Sequence, residues 1–338
     1  YKYFIYILIV AFFISCFWYF TRPKMKNVGI DYFENPPISH EQVTVRWLGI
    51  STLLIDDGET QIISDAFFSR PSFIDLLLKR RIQPDPLFIS DALSELLVER
   101  LAVVVPVHSH YDHAMDSAVV AQLTGARVLG SLSTANIAKS FNLPTSQIII
   151  GDTGKAYQFG KFTVTLIESK HAPLASNSEI GGVVTQPFVL PAPYTAWQQG
   201  KAYSIHIAHP KGSILIQGSA GFIPGSLNEI NADVVFLGVG GLNSLSNTYR
   251  DEYIFEVVKK VDPTIVVPIH HDNLFGAYGE VEQHPLMIEF TETSAQELKR
   301  LIHPAVFLMP LWGKARAVAG LSLCRGDHRG SRSRQASS

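Results

Sequence analysis

The residues His108-Ser109-His110-Tyr111-Asp112-His113 put three imidazoles and a carboxylate within six positions. They follow directly on Leu101–Val107 (LAVVVPV), an apolar run long enough only for a buried strand. On a loop leaving a strand, alternate residues can turn to one side. Imidazole and carboxylate are the ligands that suit Zn²⁺, Mn²⁺ or Fe. Packing four polar side chains beside VVVPV without a partner would cost several kcal/mol in lost hydration. The two cysteines, Cys16 and Cys324, cannot build a Cys-rich metal site or a disulfide framework, so His and carboxylates must supply the ligands. A metal held this way with an open position activates water and polarises a carbonyl or phosphoryl oxygen. The chemistry expected is metal-assisted hydrolysis of an ester, lactone, amide or phosphodiester.

The elements that must position this cluster are strand-rich. Val43–Ile55, the turn at Asp57-Gly58 and Gln61–Ser64 read as a β-hairpin. Further strands are expected at Arg127–Leu129, Gln147–Ile150, Phe162–Glu168, Ala202–Ala208, Ser213–Gln217, Val234–Leu237 and Thr264–Ile269. Helices are expected at Leu93–Arg100, Asp116–Leu123, Asp251–Val261 and Ser294–Ile302. Four strands stop just before a polar group: His108, His171, Ser219 and His270. A rigid sheet edge that repeatedly ends in such groups is where a scaffold hangs its chemistry.

The string His108-Ser109-His110-Tyr111-Asp112-His113 resembles the H-x-H-x-D-H signature of the metallo-β-lactamase-fold superfamily. Arg46-Trp47-Leu48-Gly49, Ser64-Asp65 followed by Phe67-Phe68, and Asp116 after the signature look like the branch with the ascorbate-phosphate lactonases and the N-acyl-phosphatidylethanolamine phospholipase D type. The resemblance implies an α/β fold, a four-layer αββα sandwich with the metals at one edge of the sheets. It implies His108, His110 and His171 as the first metal site, Asp112 and His113 in the second, and His270 as the last metal-binding His. It implies one or two Zn²⁺ ions, or Mn²⁺ or Fe, with Asp112 as the catalytic residue, either accepting the proton or holding the nucleophile. His271 rivals His270, which directly follows its strand and is the expected ligand; His271 and Asp272 are expected as nearby pocket groups. Ser219 stands where the family places a carboxylate bridging two metals, a much weaker ligand for a dication. Asp65 is open between capping a strand end and orienting a ligand His from behind. His206, His209, His284 and His303 read as packing or surface residues, and Asp152 in Gly151-Asp152-Thr153-Gly154 as a surface turn.

The chain has 338 residues, 46% of them hydrophobic, enough for a core and against global disorder. Its 28 basic and 30 acidic residues leave a net charge of −2, so no field draws nucleic acid, and none is expected as a partner. Tyr3 to Phe20 is 18 residues without a charge, followed by Arg22, Lys24 and Lys26. This reads as a single N-terminal transmembrane anchor, its side unassigned, with a cleaved signal, a lipoprotein signal at Cys16 or a buried helix as alternatives. The expected organisation is an anchor over residues 1–27, a hydrolase domain over 28–321 and a disordered basic tail over 322–338. Pro173–Gly200 lacks periodicity and carries Tyr194 and Trp197; it is either a lid over the site or a packed loop. With the anchor, it points to a small-molecule or lipid-like substrate. The alternative function is a membrane-tethered, non-catalytic metal-binding or interaction protein with a degenerate site. Oligomeric state is not readable from the chain.

Overall fold

The structure is a computed structural model, and it describes residues 2–21, 29–34, 42–173, 179–279, 281 and 290–318. The strands in chain order are β1 (Thr44–Trp47), β2 (Leu53–Asp56), β3 (Gln61–Ser64), β4 (Arg81–Ile82), β5 (Leu101–Val105), β6 (Arg127–Gly130), β7 (Ile148–Ile150), β8 (Ala156–Phe159), β9 (Phe162–Ser169), β10 (Ala192–Pro193), β11 (Ala202–His209), β12 (Gly212–Gln217), β13 (Val234–Gly238), β14 (Ile265–Ile269), β15 (Val306–Phe307) and β16 (Arg316–Ala317). The helices are α1 (Lys2–Thr21), α2 (Phe73–Leu77), α3 (Pro86–Glu95), α4 (Tyr111–Ala114), α5 (Ser117–Thr124), α6 (Leu132–Ser140), α7 (Asn247–Ile254) and α8 (Glu292–Ile302).

Two mixed sheets face each other, one ordered β16-β1-β2-β3-β5-β6-β7 and the other β15-β14-β13-β12-β11-β9-β8. The period-2 alternation of a strand explains the layering. Ile214 and Ile216 of β12, Val234 and Phe236 of β13, and Ile265, Val267 and Ile269 of β14 turn inward onto Val45, Leu53, Ile62 and Val103 of the first sheet. Leu215, Val235, Leu237 and Val266 turn outward and pack under α7 and α8, against Ile254, Leu298 and Ile302. Ile63 and Val104 do the same on the other side, under Ile89 and Leu93 of α3 and Val119 and Val120 of α5. Helices on both outer faces give the αββα order, and strands buried on both faces explain their unbroken apolar runs.

Three expected elements are corrected. Val43–Ile55 is not one strand. It breaks into β1 and β2 at a tight turn in which Leu48 N–H donates to Thr52 O and Thr52 N–H to Gly49 O, both at 2.9 Å. Gly49 (φ +95°) and Ile50 (φ +48°) make that turn. The helix expected over Leu93–Arg100 starts earlier. Asp85 caps it by accepting from Leu87 and Phe88 N–H, with Pro86 in its first turn. It ends before Leu97 (φ +58°), and the Gln61 side chain takes the N–H groups of Glu99 and Arg100. The helix expected over Asp251–Val261 starts at Asn247, capped by Ser246, and passes at Phe255 into a wider π turn.

Gly49 cannot be exchanged freely. A Cβ there would lie 2.9 Å from Asp272 Oδ2 and closer still to the Arg70 guanidinium. Gly49→Ala is expected to destabilise the fold by about 1–3 kcal/mol, from overpacking added to an unfavourable φ. The midpoint of urea unfolding measures it, and an unchanged midpoint would refute the clash.

The N-terminal apolar run forms the 20-residue α1. Its described side chains lie within Tyr3–Phe17, and almost all are exposed. Among the described residues no helix is long and apolar enough to cross a membrane. The expected tail over 322–338 and His284 lie outside the described residues.

Candidate metal centre

The loops after β5, β9 and β14 converge at one edge of the paired sheets. The loop after β5 enters α4 at once, so Asp112 and His113 ride on a single helical turn in which Tyr111, Asp112, His113 and Ala114 are all buried. The loops bring the six expected ligands together in two groups, His108–His110–His171 and Asp112–His113–His270. In each, one ligand atom per residue lies within 4.8 Å of the others. His108 Nε2 is 2.9 Å from His110 Nδ1. Asp112 Oδ2 is 3.3 Å from His113 Nε2 and 3.4 Å from His270 Nε2.

The outer nitrogens of several rings are fixed from behind. His113 Nδ1–H donates to Asp65 Oδ2 at 2.8 Å. His110 Nε2–H donates to Ile180 O at 3.1 Å, and His171 Nδ1–H to Ala172 O at 2.9 Å. Such bonds set the tautomer and aim the opposite nitrogen. Asp65 is fully buried and its other oxygen accepts from Val107 N–H at 2.7 Å. It thus holds the His113 ring from behind. His270 is held through the turn at Gly49: its N–H donates to Ile50 O at 2.9 Å, and Ile50 N–H donates to Asp272 Oδ1 at 2.8 Å. Asp65 (φ +58°) and His270 (φ +59°) both sit in the left-handed region, strain of the kind that persists where the surroundings over-determine a residue.

Other expected residues fall elsewhere. His271 stacks on Trp47 with centroids 5.0 Å apart and belongs to neither group of three. Asp272 supports Ile50 and faces Arg70 at 3.8 Å. Ser219, half-buried at the end of β12, accepts from Ala172 N–H at 3.0 Å, so its hydroxyl tethers the loop carrying His171. Among the described residues no carboxylate belongs to both groups. His206 donates to Asn231 O, His209 lies 3.3 Å from Asp57, and Asp152 is an exposed turn residue beside Lys155. The segment after His171 packs over the ligand loop. Ser109 Oγ–H reaches Gln198 O at 2.7 Å, and Trp197 is completely buried.

Arg70 is a residue the sequence did not single out, since no local pattern joins it to Asp272. Asp116 is fully buried, and one carboxylate oxygen accepts from Phe68 and Ser69 N–H at 2.8 and 2.6 Å. Burial pushes its pKa up to about 7 against those two bonds.

Electrostatics divide the two groups. Burial holds His110 down at about 3 and His171 at about 4, so both rings are neutral near pH 7 with lone pairs to offer. Burial also disfavours the His113 imidazolium, but the flanking carboxylates of Asp112 and Asp65 outweigh it and hold the pKa well above the ordinary imidazole range. Asp112 is correspondingly held low: His113 beside it overcomes the cost of burial. His108 Nδ1 and His113 Nε2 are buried without a hydrogen-bond partner. Nitrogen and oxygen donors at these spacings, with orphaned ring nitrogens among them, fit a divalent transition ion.

The proton on His113 has a measurable consequence. A cation entering the second group must displace it, so binding there is expected to release a proton and to tighten as pH rises from about 6 to about 8. Binding at the first group, whose rings are already neutral, is expected to stay nearly flat over that range. Titration calorimetry in two buffers of different ionisation enthalpy counts the released protons; none released at the second group would contradict the assignment.

The sequence matches the beta-lactamase superfamily domain over residues 44–270. It is 27% identical over 229 residues to a UPF0173 metal-dependent hydrolase of Methylobacterium nodulans, covering 67% of this chain and 84% of that protein. It is 28% identical over 131 residues to another of Rhizobium meliloti, covering 38% of this chain but only 48% of that protein. The fold resembles that of a metallo-beta-lactamase fold protein from Bacillus subtilis, with a TM-score of 0.51 at 12% identity over 81% of this chain and 98% of that one. It also resembles CmlA, a diiron beta-hydroxylase from Streptomyces venezuelae, with a TM-score of 0.51 at 14% identity over 82% of this chain and 54% of that one.

Proposed function

Because the chain belongs to the beta-lactamase superfamily and is a metal-dependent hydrolase, we propose that it cleaves an ester, lactone or phosphodiester, with an amphiphilic molecule as the substrate. The observation that carries this reading is the convergence of six ligand groups from three separate loops into two sets of three. One or two divalent ions, Zn²⁺, Mn²⁺ or Fe, would be held by His108, His110 and His171 and by Asp112, His113 and His270. Such an ion activates water and polarises the bond to be broken.

The chain's own residues do the rest. Asp112, ionised at neutral pH, is placed to hold a water by hydrogen bonding and to accept its proton. Asp65 keeps the His113 ring in one orientation, and the Ile50 carbonyl, accepting from the His270 backbone N–H, fixes the main chain that carries His270. The segment containing Ile180 and Trp197 covers His110 and excludes bulk water from that side of the site. The substrate class rests on two supports: the aromatic and apolar character of this covering segment, and α1. We propose α1 as a membrane anchor, on the charge-free run from Tyr3 to Phe20 and the exposure of Tyr3, Phe4, Phe12, Phe13 and Phe17.

The test is metal content by elemental analysis of the full chain, paired with hydrolysis of a generic ester and a generic phosphodiester. One or two equivalents of Zn, Mn or Fe, with turnover lost in His110→Ala, is the expected result. A folded, metal-supplemented protein that retains no metal would overturn the reading.

A further inference from the structure

Away from the metal centre, α2 carries apolar side chains that the domain does not bury. None of its residues is buried, although a capping box between Ser72 and Asp75 shows that the helix is a formed element. Phe73, Ile74, Leu77 and the following Leu78 are 43–65% exposed, and Leu87 and Phe88 at the start of α3 are 80% and 39% exposed. α2 and α3 flank one cavity of about 520 Å³, which Asp75 and Phe88 line together with Phe68, Arg70, Arg81 and Tyr278.

Directly after the apolar run come Lys79, Arg80 and Arg81, all exposed. Lys79 pairs with Glu179 at 2.9 Å and Arg80 with Asp75 at 3.2 Å. Ion pairs in water contribute little and exchange readily for other anions. The same order, an apolar stretch and then three basic residues, recurs where α1 is followed by Arg22, Lys24 and Lys26.

We propose that α2 and the start of α3 form an interfacial surface that lies on an anionic lipid bilayer. Phe73, Ile74, Leu77, Leu78 and Leu87 enter the acyl boundary, and Lys79, Arg80 and Arg81 reach the headgroup phosphates. The charge pattern selects this occupant. A second copy docked about a two-fold axis would set this basic run against its own mate. α1 is apolar on every side, so laying one of its faces here would leave the others in water. The wall of the cavity inside this rim is tied to the loops that carry the candidate ligands. Ser69 N–H and Arg70 in its wall hold Asp116 and Asp272, which follow His113 and His270 in the ligand loops. That a bilayer lipid is the molecule hydrolysed rests on the hydrolase reading above; the surface itself does not.

The test uses the full chain with Cys16→Ser and Cys324→Ser, and a single dye on Leu77→Cys. Vesicles of phosphatidylcholine, with or without phosphatidylglycerol, carry nitroxide-labelled acyl chains. Quenching at position 77 is expected to exceed that of the same dye on Ile150→Cys, an exposed edge-strand site, by about twofold or more. It is expected to rise with phosphatidylglycerol and to fall in the Lys79→Glu, Arg81→Glu background. Equal quenching at 77 and 150 on captured vesicles overturns this surface while leaving α1 as an anchor. Shielding at 77 from aqueous iodide without vesicles, growing with protein concentration, overturns it in favour of a second copy. Neither outcome bears on turnover, so the hydrolase reading stands or falls separately.

Discussion

Asp112→Asn is expected to lower hydrolysis by about 10²–10⁴-fold, the range that a positioned general base contributes. The substitution is nearly isosteric but removes the charge that His113 and His270 share through Asp112 Oδ2, at 3.3 and 3.4 Å. Metal content is expected to fall at the second group and to persist at the first, whose three imidazoles do not depend on Asp112. His113 also loses one of the two carboxylates that sustain its proton, so its pKa moves down. The variant is checked by initial rates, by elemental analysis and by the pH at which the second ion binds. Wild-type turnover with both groups intact would remove Asp112 from the mechanism.

Asp65→Asn is the second large effect. Asp65 accepts two hydrogen bonds in full burial, from His113 Nδ1–H and from Val107 N–H. An amide offers one oxygen for two donors on opposite sides. One donor is therefore left unpaired or facing another N–H, at a cost of about 1–3 kcal/mol in stability. Affinity at the second group is expected to drop about 10–100-fold, as it does when the partner that orients a ligand histidine is removed. A purely structural residue would not shift the pH response. Asp65 does: without its charge the His113 imidazolium is less favoured, so the binding curve moves to lower pH even as the limiting affinity falls. A weaker site with an unmoved curve would reduce Asp65 to scaffolding.

The difference in legibility between these two residues is physical. Asp112 lies inside a six-residue cluster, so composition and spacing alone expose it. Asp65 meets His113 across 48 positions, and Asp272 meets Ile50 across 222. Contacts at that separation leave no periodicity to read. His171 and His270 were intermediate: each follows an apolar strand, and the family resemblance supplied the rest. Most strands were readable because burial on both faces leaves unbroken apolar runs. The turn at Gly49 was missed because the residues beside it, Leu48 and Ile50, are as apolar as a strand. Ser219 was readable as a departure from the family, but only the structure shows its hydroxyl holding the backbone beside His171.

One further consequence follows from how the first sheet is closed. β16 pairs antiparallel with β1, Val318 N–H donates to Val43 O, and the Arg316 side chain donates to Phe33 O. During translation β1 emerges near the start of the domain, yet its outer edge waits for nearly the whole of the domain to follow. Pairing across such a sequence distance is slow to form. Until then an open edge bearing Val45 and Trp47 can recruit strands from other nascent chains. A ribosome that stalls between His270 and Arg316 would release a product with all six candidate ligands already made and that edge still bare. β16, the last strand among the described residues, thus covers the edge that a shorter product would leave open.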